Sequence, residues 1–110
     1  MSGKTEEKKD EVIVDTDHWK DEEWLEENAE LLKALAHPSR LKIIGFLSSG
    51  KKCVKHIWEA LDLPQPNVSQ HLSVLRNKGI LGYKREGSIV CYYIKNKKAL
   101  KIYKLLVEEE

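Results

Sequence analysis

The chain has 110 residues, 41% of them hydrophobic, which is enough for one small domain with a modest core and too few for two. No apolar run approaches the roughly 18 to 20 residues that span a bilayer, and the opening "MSGKTEEKKDE" lacks the apolar stretch of a secretory signal, so the expected location is the cytoplasm, with no membrane partner. The formal net charge of +1 hides an asymmetry, since residues 1–30 carry −8 and residues 31–110 carry +9, a pattern that suits a basic body able to meet phosphate.

In chain order, residues 1–15 are charged enough to form a disordered tail, and 16–110 form the expected domain. Over 19–36, apolar residues at Trp24, Leu25, Ala29, Leu32, Leu35 and Ala36 make a helical stripe that His37 and Pro38 end. Ser39 is placed to cap a second helix through Leu41, Ile43, Ile44 and Leu47, which closes at Gly50. A short extended piece at 52–54 precedes a third helix with Ile57, Trp58, Ala60 and Leu61. The turn "LDLP" leads to a fourth, with Val68, Leu72 and Leu75 inward and Gly79 at its end. "ILGYKREGSIVCYYIKN" reads as two strands joined near "REGS", and a last helix over 97–107 aligns Leu100, Tyr103 and Leu106 in a narrow stripe suited to packing on another helix. The expected fold is mainly α with a small β-hairpin wing, a winged helix-turn-helix of about five helices plus a short sheet.

The outward residues of the fourth helix are Gln65, Asn67, Ser69, Gln70, Ser73 and Arg76. Asn and Gln pair bidentately with adenine, Arg with guanine, and Ser with either, whereas a merely solvated helix of so charged a chain would carry Lys and Glu. Pro64 and Pro66 fit only a first turn and set the helix start there. His71, beside the inward Leu72, is either a packed histidine or a further DNA contact. Lys84 and Arg85 next to Gly87 form a basic wing tip for phosphate or the minor groove, and Lys78 is a further candidate for phosphate.

The motifs "ALAHPSRLKII", "VSQHLSVLRNKGIL" and the wing "YKREGSIVCYYI", in that order over roughly 29–106, resemble the ArsR/SmtB family of transcriptional repressors. The resemblance implies a winged helix regulator that pairs its first and last helices in a homodimer, binds a palindromic double-stranded operator and senses an inducer. It agrees with the apolar surface left on the Trp19 and Trp24 helix and on the last helix. The family usually has Ser where this chain has Pro64 and Pro66, so hydroxyl contacts from those two positions do not carry over.

Metal-sensing members of that family often show "ELCVCDL" where this chain has "KKCVKHI": Cys53 matches the first cysteine, but Lys55 and His56 replace the second cysteine and the acid. The family's other metal site, on the last helix, needs a His that "KKALKIYKLLVEEE" lacks. No cofactor or metal is therefore expected, and the alternative is a rebuilt site from Cys53, His56, Cys91 and His18. In a winged helix, 52–54 pairs with the outer wing strand at 90–93, which makes Cys53 and Cys91 cross-strand neighbours within disulfide range and candidates for a redox switch. Cys53 also stands at a helix N-terminus among Lys51, Lys52 and Lys55, which favours its thiolate. Two packed structural thiols are the plainer reading. A protein-interaction module is a second alternative class. No carboxylate pair, nucleophile set or phosphate-cradling glycine loop points to an enzyme.

Overall fold

The computed structural model describes residues 10–13 and 17–108; apart from 10–13, the charged lead segment expected over 1–15 lies outside the described residues. A 3-10 turn, His18–Lys20, precedes α1 (Glu22–Leu35), α2 (Pro38–Leu47), β1 (Lys52–Cys53), α3 (Val54–Leu61), α4 (Gln65–Asn77), β2 (Leu81–Glu86), β3 (Ile89–Ile94) and α5 (Lys97–Glu108). This is the expected winged helix, with β3 in the middle of an antiparallel sheet of order β1-β3-β2. No described helix is long and apolar enough to cross a membrane.

Side-chain caps set the starts of α1, α2 and α5. The Asp21 carboxylate accepts from the Trp24 amide at 3.1 Å, and Glu22 and Glu23 follow in the first turn, where negative charge suits the helix dipole. The second helix begins two residues earlier than Ser39 would allow as a cap: Pro38 takes the first helical position, and His37 caps instead, its Nδ1 accepting from the Ser39 amide at 3.1 Å. Proline suits that position because its missing N–H would have had no helical partner. Asn96 caps α5 by accepting from the amides of Lys98 and Ala99 at 2.8 and 3.1 Å.

The core joins Ile43, Ile44 and Leu47 of α2, Ile57 and Leu61 of α3, and Val68, Leu72 and Leu75 of α4 to Ile80, Leu81 and Ala99. The first helix enters it by a different face from the one expected. Leu31, Ala34 and Leu35 are buried, while Leu32 is 54% exposed. Leu25, Ala29, Leu32 and Ala36 fall on one helical line, so this helix has two apolar stripes, and the single chain covers only one. The last helix divides similarly. Tyr103 packs so closely on α2 that a Cβ at Gly45 would lie 2.5 Å from its Oη, whereas Leu105, Leu106 and Val107 are about half exposed. The stripe expected through Leu100, Tyr103 and Leu106 therefore belongs partly to the chain's own core.

Candidate nucleic-acid interface and paired thiols

With Val68, Leu72 and Leu75 buried, α4 turns Gln65, Asn67, Ser69, Gln70, Ser73 and Arg76 to solvent, as its period requires. Pro64 and Pro66 stand at the cap and in the first turn. His71 is not on this outer row. It is half-buried, and its Nδ1 accepts from Arg40 Nε at 3.3 Å while its ring lies 4.5 Å from that of His37. Burial first, then the charges of His37 and Arg40, hold its pKa below the ordinary 6.5. These are the contacts of a packed, hydrogen-bonded histidine.

The wing is more divided than "KREG" implies. Lys84 and Arg85 are both exposed, but neighbours on a strand point to opposite faces. Lys84 is the register partner of Cys91, whereas Arg85 shares its face with Tyr83, whose ring carries the Arg76 guanidinium at 4.1 Å. Arg76, Tyr83 and Arg85 thus join the end of α4 to one side of the wing. Lys78 is occupied elsewhere. Its ammonium donates to Glu30 Oε2 at 3.0 Å, and that bond and charge lower the Glu30 pKa. Arg40, His37 and Tyr83 were not anticipated as contributors. The available signal was a charged side chain inside the apolar "PSRLKII" run, although its partner lies 31 positions away.

At the other end of the sheet, Cys53 and Cys91 are direct partners in the β1–β3 register, as the wing topology predicts, and their Sγ atoms are 3.1 Å apart. Both are free thiols; Cys53 is half-buried and Cys91 is 8% exposed. The hydrogen bond with Cys53, then burial, push the Cys91 thiol up, with Lys51 opposing weakly. Cys53 occupies the cap position of α3, and its side chain makes no capping bond. Of the nearby lysines, Lys51 acts on Cys91 and lies 3.9 Å from Glu86, and Lys52 sits over the Phe46 ring. Among the described residues no three His, Cys, Asp or Glu side chains are grouped to hold a metal ion, so the set of Cys53, His56, Cys91 and His18 is not assembled.

Residues 37–83 match the model of the bacterial regulatory protein arsR family. The transcriptional repressor PagR of Bacillus anthracis is 46% identical over 96 residues, covering 86% of this chain and 96% of PagR. The chain belongs to the arsR family. Solved structures share the fold. Reduced HlyU from Vibrio cholerae superimposes with a TM-score of 0.73 at 30% identity, covering 77% of this chain and 90% of that one. The homodimeric DNA-binding domain of Mb0332 from Mycobacterium bovis gives 0.70 at 26% identity, covering 86% of each. Members of the arsR family are DNA-binding transcriptional regulators and not enzymes.

Proposed function

We propose that this arsR-family protein is a homodimeric cytoplasmic repressor that holds a palindromic operator through α4 and the wing and releases it when Cys53 and Cys91 are oxidised. The observation that carries the reading is the 3.1 Å approach of two free sulfurs across paired strands. A disulfide needs about 2.05 Å, so closure asks for a shift of about 1 Å. It would tie the start of α3 to the root of the wing. Half-buried Cys53 is the sulfur an oxidant meets first. As thiolate it attacks hydrogen peroxide, the O–O bond breaks with loss of the first water, and a sulfenic acid forms. The Cys91 thiol then displaces water, so two thiols and one peroxide give a disulfide and two waters. A persulfide accepts the same two electrons by cleavage of its S–S bond, leaving a thiol and hydrogen sulfide. HlyU, a relative, has been solved in a reduced form.

Dimerisation is supported by the second apolar stripe of α1 and the exposed leucines of α5, and the related domain from Mb0332 is a homodimer. Two copies of α4 about 34 Å apart would meet successive turns of one groove. The test measures affinity for an operator duplex before and after peroxide or persulfide treatment. The parent should weaken, while Cys53→Ser and Cys91→Ser should not respond. An unresponsive parent, or variants that respond as it does, would remove the switch. Release by zinc or cadmium instead would favour a metal-responsive repressor.

A further inference from the structure

We propose that Arg40 and His71, with His37 packed against them, act as positioning residues that set the finer alignment of the reading helix α4, and that mild acid releases this strut. The inference rests on the reading of α4 as the DNA-contacting helix. Val68, Leu72 and Leu75 fix which face of α4 turns inward, but apolar burial is non-directional and leaves the finer alignment of the helix to directional contacts. The bond from Arg40 Nε to His71 Nδ1, at 3.3 Å, is directional. It acts at the residue next to Gln70 and one helical turn beyond Asn67, the two amides best suited to base edges.

The other arm of Arg40 donates from Nη1 to the Ala34 carbonyl at 3.3 Å, in the last turn of α1, where carbonyls lack helical partners and the dipole favours a cation. One guanidinium therefore links the end of α1, the first turn of α2 and the middle of α4. His37 completes the corner by capping α2 through Nδ1 and lying 4.5 Å from the His71 ring.

Both imidazoles accept a hydrogen bond at Nδ1, so both bonds require that nitrogen to be unprotonated. A solvent proton on His71 Nδ1 would turn an acceptor into a donor facing the Arg40 N–H, with two positive charges in contact. Among the described residues, the ionisable groups acting on His71 are His37 and Arg40, and both oppose its protonation. Arrangements in which His71 leaves Arg40 bind the proton better, so linkage requires acid to populate them. Burial first, then the charges of His37 and Arg40, lower the His71 pKa, so the packed arrangement resists that proton.

The experiment uses the full chain, a duplex selected by it from a random-sequence pool at about pH 7.5, and an unselected duplex as reference. At constant ionic strength, the ratio of the two affinities should fall about tenfold by about pH 5.5, the effect of losing one ordinary hydrogen bond. Unselected binding should not weaken, because the protein gains positive charge. His71→Gln keeps an acceptor for Arg40 but does not titrate, and its ratio should stay level, whereas exposed His56→Gln should follow the parent. Arg40→Lys should have a lowered ratio already at neutral pH. In the parent alone, ring-proton NMR should show the His71 midpoint moving lower when the selected duplex binds, a readout that needs no variant to fold. A level ratio in the parent, a parent-like fall in His71→Gln, or an unmoved midpoint overturns the strut. If Asn67→Ala keeps full selectivity at neutral pH, the reading of α4 itself fails, which is a separate result.

Discussion

At the scale of single residues, the proposed roles of α4 and the wing make readout and positioning separable by substitution. Replacing Asn67 or Gln70 by Ala should cost about 1 to 3 kcal/mol on the preferred duplex and relax selectivity at individual bases. Arg85→Ala should weaken all duplexes alike and reduce the salt slope by about one. Lys84→Ala should do less, because Lys84 lies on the thiol face of the sheet. His71 makes a signed prediction about stability. Its folded pKa lies below 6.5, so under that pH the unfolded chain takes up a proton that the folded chain refuses. Its contribution to stability is complete above 6.5 and is lost as the pH falls toward the folded value. Denaturant midpoints of the parent and His71→Gln should therefore diverge in pH dependence below 6.5, with the parent the more acid-sensitive. Differential alkylation addresses the thiols: Cys53, half-buried, should be modified ahead of Cys91, whose thiol is buried and raised.

At the scale of elements, α2 and α5 approach closely because Gly45 leaves room for the Tyr103 ring. Alanine there improves helix propensity by about 1 kcal/mol but drives a methyl into a phenol, and overpacking of this kind typically costs about 1 to 3 kcal/mol. Gly45→Ala should lower the thermal midpoint. Tyr103→Leu removes the ring tip, so the double variant should lose less than the two single losses together. The wing turn has a different requirement. Gly87 sits at a φ of 64°, so a substitution there strains the turn whatever space surrounds it.

At the scale of the whole molecule, two apolar surfaces remain outside the core: the α1 stripe with Leu32, and the end of α5 with Leu105, Leu106 and Val107. A small chain gains much by covering such surfaces with a second copy. Leu32→Glu should leave the helical circular dichroism of the winged core in place. It should also shift sedimentation at micromolar concentration to the monomer and abolish the preference for two half-sites over one. A Leu32→Glu protein that still sediments as a dimer would place the interface elsewhere.

The sequence by itself determined whatever depends on near neighbours along the chain. The inward row Val68, Leu72 and Leu75, the helix start at Pro64 and Pro66, the tight turn at Gly87 and the alternation of the strands follow from helical and strand periods and from backbone restrictions on Pro and Gly. Even the pairing of Cys53 with Cys91 was legible, because the motif order specified a topology and the topology a register. The tertiary structure alone decided which of two apolar stripes on α1 entered the core, since both have the same period and only the packing of α2 against Leu31, Ala34 and Leu35 distinguishes them. It also decided that Lys78 meets Glu30, 48 positions away, rather than standing free for phosphate. Above all it placed Arg40 against His71: periodicity reports which way a side chain points from its own axis, and only the crossing of two helices determines what it meets.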